Sequence, residues 1–474
     1  MTVTPLRPHR FQDYDELHQF LLLCQQNLHH KEQSKIISIS LEVPAIDPLV
    51  ILEKMAQPER LSFYWEQPEK SEAIAAIDAV TYLTVAGDSR FQAAEEFMAE
   101  CLEKTTIVGD KNHRWLEPLF FCIFTFLDRV TQPHPPFLPA TVFLPKLQVF
   151  RRGNTGGLVA NLKVDKKTNI DALTKQTWQQ FQLVKKQGNS VGNRLTKSSY
   201  KPSIQIVDRE SDRFKSGVNS ALELIKNNQI SKIVLAHCIE VIVSEKISVV
   251  ECLNKLRDRH PDCYIFAANN GKGQVFLGAS PERLISIKNG QLIADALAGS
   301  APRGKTPTQD AEFANLLLSS EKERREHHAV LEFITDRLQK LGLTPQAAEV
   351  PQILPLANIQ HIWTPIQAQV TPKVHPLQII SLLHPTPAVA GTPTKIACQH
   401  IRRFEPFERG LYAAPLGWIN HQGDAEFIVG IRSALVEGDR AKLYAGAGIV
   451  AGSDPEQEFA EIQLKLQPLL KALV

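Results

Sequence analysis

Residues 231–243 read SKIVLAHCIEVIV, an apolar run with a lysine, Lys232, near its start. A helical pattern, RFKSGVNSALELIKNNQ at 213–229, leads straight into it, and the run reads as a strand. Alternation along a strand puts Lys232, Val234, Ala236 and Cys238 on one face. Lys232 then has two readings. Either it is a strand-end cation that discourages edge pairing and keeps its ammonium in water, or it is an inward amine with a chemical role.

Working outward, strands follow at CYIFAANN (263–270), QVFLGAS (274–280) and RLISIKNGQLIADAL (283–297), the last folded back at an Asn-Gly hairpin turn. One long helix is expected over 309–341 and another over 455–472, with a glycine-punctuated meander of strands over 410–450. Upstream, IISISLEVP (36–44), VTYLTVAG (80–87) and ATVFLPKLQVF (140–150) read as strands, and RFQAAEEFMAECLEK (90–104) as a helix. Strand-rich blocks beside long helices, without regular βαβ alternation, indicate an α+β fold. Two polar, turn-rich stretches interrupt the pattern, at 128–140 and 185–203. The second separates an N-terminal portion, 1–204, from the remainder, 205–474.

With 474 residues, 43% of them hydrophobic and 22% charged, the chain can bury a large core. Its 53 basic and 51 acidic side chains leave a net charge of +2, which argues against a nucleic-acid partner. Seven scattered cysteines, odd in number and without a C-x-x-C pair, argue for a reducing compartment and against a disulfide frame or zinc site. The N-terminus lacks a signal-peptide core, and the longest apolar burst, LFFCIFTFL at 119–127, is half of what a bilayer requires. A cytoplasmic protein with no membrane partner is expected, or an organelle protein whose transit peptide has been removed.

Four segments have the composition for chemistry. ALAGSAPRG (296–304) offers small residues that let a ligand approach the backbone, with Ser300 and Arg303 as donors to an anion; its plain reading is a turn. In SSEKERREHHAVLEFI (319–334), Glu323 and Glu326 lie one helical turn apart, and Glu326 shares its stripe with Val330 and Phe333, so it tends inward. The plain reading there is a solvated face of i,i+4 pairs such as Glu321 with Arg325. In SDPEQEFAEIQLKLQPLL (453–470), Ser453 or Asp454 caps the helix. Glu458, Glu461 and Lys465 share one face beside an apolar stripe of Phe459, Ile462 and Leu466. Carboxylates from two helices are what Mg²⁺ requires when it takes one or two protein ligands and completes its shell with water and substrate. YAGAGIVAGSDP (444–455) reads as a glycine-rich turn whose N–H groups could cradle a carboxylate. Its pattern is not that of a dinucleotide fold.

In this order the segments resemble the chorismate-utilising enzymes: anthranilate synthase large subunits and aminodeoxychorismate, salicylate and isochorismate synthases. The motifs are SKIVLA (231–236), GASPERL (278–284), ALAGSAPRG (296–304), EKERREH (321–327), HPTPAVAGTP (384–393), FERGLYAAPLGW (407–418), IRSA (431–434) and AGAGIVAGSDPEQEFAEIQLK (445–465). The resemblance implies two mainly antiparallel sheets sandwiching the site, helices outside, and an N-terminal portion belonging to the same body. It implies Glu326 and Glu461 as Mg²⁺ ligands, with Glu323 and Glu458 behind them or on metal-bound water. Arg432 and Lys465 are implied to hold the pyruvyl carboxylate of chorismate with N–H groups near Gly446 and Gly448, and Gly299 and Ser300 to contact substrate.

The members share this cradle and differ in the nucleophile. Aminodeoxychorismate synthases carry a lysine where this chain has Ala298, and anthranilate synthases usually carry a glutamine where it has Lys232. Water, unlike ammonia, needs a base, and the resemblance assigns Lys232 as base and Glu282 as the acid that protonates the departing C4 hydroxyl. Burial must then raise the Glu282 carboxyl enough to keep it protonated. An Mg²⁺-dependent isochorismate synthase is implied, with salicylate synthase, anthranilate synthase and a non-catalytic binding homologue as alternatives in that order. No glutamine amidotransferase subunit is required, and a monomer is expected. Ser300, Ala390, Glu408 and Ile462 depart from the usual family residues. The long N-terminal portion points to menaquinone or phylloquinone synthesis, by analogy alone.

Overall fold

In the computed structural model, which describes residues 13–28, 34–109, 115–188, 203–356 and 359–473, the run at 232–243 is a strand, Lys232–Val243. It pairs antiparallel with Arg440–Val450 along nearly its whole length, setting Lys232 opposite Val450 and Ala236 opposite Gly446. The ladder continues through Ser433–Glu437, Gln274–Ser280, Tyr264–Asn270 and Leu61–Gln67 to the long strand Glu72–Val85. A second limb runs from Ile359–Gln369 through Gln291–Pro302, Arg283–Lys288, Ala425–Val429 and Pro415–Asn420 to Leu119–Phe124. The limbs join at Ala140–Arg152, which pairs with Glu72–Val85 on one edge and with Leu119–Phe124 and then Thr155–Asp165 on the other. Among the described residues only Ser34–Pro44 with Thr105–Gly109 is a parallel pair.

Two of these ladders cross the position at which the chain was divided. Leu61–Gln67 hydrogen-bonds to Tyr264–Asn270, and Leu119–Phe124 to Pro415–Asn420, so residues 13–188 and 203–473 share one frame. Helix Ile170–Gly188 runs into the polar stretch at 185–203, of which 189–202 lie outside the described residues. The apolar burst at 119–127 supplies a wholly buried strand at the junction. Phe121 there packs on Phe63 (5.3 Å between centroids) and Phe143 (5.7 Å). Each such ring stabilises the fold by about 2–3 kcal/mol through apolar burial.

The Asn-Gly signal marks a tight hairpin: Asn289 and Gly290 adopt φ 51° and 76°, and Lys288 pairs with Gln291. The single helix expected over 309–341 is two helices, Pro307–Ser319 and Glu321–Lys340. Ser320 breaks it with extended backbone (ψ 117°), and its Oγ accepts the Glu323 N–H at 3.4 Å. Helical periodicity runs through on both sides, which hides the break; the S-x-x-E pattern of a helix start is what marks it.

Candidate active site

Helix Glu321–Lys340 packs on strands Gln291–Pro302 and Ile359–Gln369, and helix Pro455–Leu473 packs on Arg440–Val450. The first buries His327, Val330, Ile334 and Leu338, which leaves Glu323 and Glu326 at the N-terminal end of the same side. The second buries Ile462, Leu466 and Leu469 and carries Glu458, Glu461 and Lys465 alongside. Asp454 is its cap, accepting N–H bonds from Glu456 and Gln457 at 3.0 Å each, while Ser453 hydrogen-bonds the Glu458 carboxyl.

Both helices and both sheet limbs therefore face one pocket. Its walls include Glu282, Ala298, Gly299, Ser300, Glu323, Glu326, Arg432, Gly446, Gly448, Glu458, Glu461 and Lys465. Lys232 lies behind this wall at the strand end, buried (4% exposed), with Nζ donating to the wall residue Glu326 Oε1 at 2.6 Å. That ion pair joins two residues 94 positions apart that the sequence treats separately.

Electrostatics divide the carboxyls. Burial pushes Glu282 up to about 7, against the attraction of Lys232 and Lys465. Burial and the neighbouring Glu326 and Glu461 charges raise Glu323; burial and Glu461 raise Glu458, though the Ser453 hydroxyl opposes them. Lys465, bonded at 2.6 Å, holds Glu461 below its ordinary value. Four carboxyls on two helices, Glu323 and Glu326 with Glu458 and Glu461, thus line one pocket with the hard oxygen donors that Mg²⁺ takes. Among the described residues no three metal-ligating side chains are gathered into a closed site, and Mg²⁺ held by one or two carboxylates plus water and substrate needs none.

The cations are set for an anion. Arg432 is buried at the left-handed angle φ 47°, which a side-chain-bearing residue adopts at a cost, and among the described residues it makes no salt bridge. Lys465 Nζ donates to Gly446 O at 2.9 Å as well as to Glu461. The glycines are in a strand, not in the turn expected over 444–455, because Tyr444–Val450 continues the ladder with Lys232–Cys238. Val234 and Ala236 send their N–H groups to Ala390 O and Glu405, away from this ladder. Gly446 and Gly448 opposite them are therefore non-hydrogen-bonded pairs with N–H groups directed outward. A Cβ at Gly448 would stand 3.2 Å from Lys232 Cε and 3.4 Å from Glu326 Oε1. Gly299, at φ 78°, forms a bulge between Ala298 and Ser300, where a Cβ would lie 3.1 Å from Glu323 Oε2.

Arg303 is no part of the pocket. Its guanidinium forks onto Asp310 at 2.7–3.1 Å and donates to Leu356 O at 2.6 Å, a loop clamp that engages all three of its nitrogens. Of the departures from the family pattern, Ser300 lines the pocket, Ile462 is core, Ala390 accepts from Val234 N, and Glu408 binds Thr131 elsewhere. A wall residue absent from the sequence reading is His361, on strand Ile359–Gln369. Burial, Arg432 and Lys465 depress it to about 3, so it is neutral; its Nδ1 lies 3.2 Å from Gly299 O, an acceptor, which assigns the proton to Nδ1. The alternation in IQHIWTPIQAQ, with residues 360, 362, 364 and 366 buried, was the signal for that strand.

The family model described as chorismate binding enzyme matches residues 21–474. A salicylate biosynthesis isochorismate synthase of Pseudomonas aeruginosa is 31% identical over 440 residues, 92% of this chain and 90% of that protein. The isochorismate synthase MenF of Bacillus subtilis is 30% identical over 452 residues, 92% of this chain and 93% of the relative. The solved structure of the menaquinone-specific isochorismate synthase MenF from Escherichia coli is similar at TM-score 0.76 and 25% identity, covering 97% of this chain and 99% of that one. Anthranilate synthase component I from Streptococcus pneumoniae shares the fold at TM-score 0.67 and 18% identity, over 84% of this chain and 92% of its own. With the family pattern matched from residue 21 onward, the chain belongs to the chorismate-binding enzymes.

Proposed function

We propose that the protein is an isochorismate synthase, adding water at C2 of the chorismate ring with loss of the C4 hydroxyl. The observation that carries this reading is the nearness of two unlike groups: Glu282, a buried wall of the pocket pushed up to about 7, and Lys232, buried behind the wall residue Glu326 and bonded to it. Arg432 and Lys465, with the outward N–H groups of Gly446 and Gly448, bind the pyruvyl carboxylate. Glu326 and Glu461 would hold Mg²⁺, with Glu323 and Glu458 on its waters, and the ion would supply positive charge for the ring carboxylate. Lys232 donates to Glu326, so a ring carboxylate held at that end of the pocket would turn the adjacent C2 toward it. As the neutral amine, its ammonium proton given up and the Glu326 ion pair released, Lys232 would accept a proton from water as the oxygen bonds to C2, the ring double bonds shift, and the C4–O bond breaks. Glu282 gives its proton to the leaving hydroxyl, which departs as water, so the net change is an isomerisation. Ala298 offers no competing amine.

The menaquinone-specific structure from Escherichia coli covers 97% of this chain and the salicylate-biosynthesis relative 92%, so the N-terminal portion is in keeping with either fate of the product. Incubation with chorismate and Mg²⁺, with products resolved by chromatography, tests the reading. Isochorismate is expected, and chelation should abolish it. Salicylate with pyruvate would show that elimination follows at the same site, and anthranilate formed with ammonium would refute water as the nucleophile.

A further inference from the structure

We infer that the buried Arg409–Glu405 ion pair is a positioning device that stands in for a missing strand beside Lys232 and holds the base in register. The inference rests on the reading of Lys232 as the base. Strand Lys232–Val243 is fully partnered on one edge by Arg440–Val450, and its other edge is covered in pieces. Gly391–Thr392 pairs with Ile233 and Lys232, Ala390 O takes the Val234 N–H, and Ile204–Val207 covers Glu240–Val243. Between those pieces, side chains complete the ladder. Arg409 Nη2 donates to Val234 O at 2.8 Å, and Glu405 Oε1 accepts the Ala236 N–H at 2.8 Å.

The two side chains are 2% and 3% exposed and joined to each other, with Arg409 Nε 2.9 Å from Glu405 Oε2. A third arm, Arg409 Nη1, donates to Val389 O at 2.8 Å, and both Val389 and Arg409 border the pocket, although the Arg409 donors Nε, Nη1 and Nη2 are each bonded to protein oxygens. The guanidinium also lies over the Phe126 ring, 4.4 Å from its centroid. One planar fork thus fixes the Lys232 strand against the 384–390 loop. An ammonium in its place keeps the charge and Glu405 but cannot reach both carbonyls at once. Buried charge pairs add little net stability over apolar residues of like size, so geometry is the better account of this one.

The test is Arg409→Lys alone, Lys232→Gln alone and the two together, each measured for isochorismate formation, chorismate binding stoichiometry and thermal midpoint. For Arg409→Lys, kcat per binding site should fall about 10–100-fold with KM within about threefold, because displacement of a reacting group costs rate rather than affinity. In the Lys232→Gln background the same change should have no further effect, since its influence passes through Lys232. Losses that multiply in the double variant, or an Arg409→Lys kcat within twofold of the parent, overturn the inference. Turnover unchanged in Lys232→Gln overturns the proposed base and this inference together, whereas turnover lost there with multiplying losses overturns only the positioning role. If Arg409→Lys does not fold, Arg409→Met with Glu405→Leu removes both charges at once and is read in the same way.

Discussion

At the scale of single residues, Lys232 was the ambiguous one, and its surroundings argue against a strand-end gatekeeper. A gatekeeper keeps its ammonium in water, whereas this one is buried against Glu326. Replacing Lys232 by glutamine should reduce isochorismate formation about 10²–10⁴-fold while chorismate and Mg²⁺ still bind, as calorimetry would show. Glu282 makes a prediction about pH. Its carboxyl titrates near 7 in the folded chain against an ordinary 4.5, so the unfolded chain ionises first. Its contribution is therefore fully present below pH 4.5, falls as pH rises toward 7, and is flat above. Glu282→Gln removes that slope, and the variant should gain up to about 3 kcal/mol over the parent between pH 4 and pH 8 in urea unfolding, at about 1.4 kcal/mol per pKa unit. Its kcat should fall with the lost proton donor. Equal slopes in the two proteins would show that Glu282 titrates normally.

At the scale of elements, most strands and helices were legible because hydrophobic period and turn chemistry agree, as at Asn289-Gly290. The misreadings have local causes. A continuous helix was expected through Ser320 because periodicity survives the break, and a turn was expected over 444–455 because glycine usually marks one. Here the glycines serve a strand that must pass close to Lys232 and Glu326. The helix carrying Glu461 and Lys465 depends on Asp454, which satisfies two of its free N–H groups. Asp454→Ala should cost about 1 kcal/mol, measured as a lowered denaturation midpoint. An unchanged midpoint would transfer the cap to Ser453.

At the scale of the whole molecule, the two sheet limbs meet in strands of the N-terminal portion, so residues 205–474 alone would expose the long edges of Tyr264–Asn270 and Pro415–Asn420. Expressed by itself that segment should aggregate, and the full chain should unfold in one transition; a soluble, cooperatively folding 205–474 in light scattering and calorimetry would contradict this. The residue types of the pocket were readable in the sequence because chemistry restricts them: carboxylates at helical spacing, a lysine in an apolar strand, glycines where backbone must come close. Only the tertiary structure decided which of them meet. The Lys232–Glu326 bond, the neutral His361 and the diversion of Arg303 to Asp310 each depend on which strand edges pair and which helix faces pack, and those are long-range contacts that local periodicity does not encode.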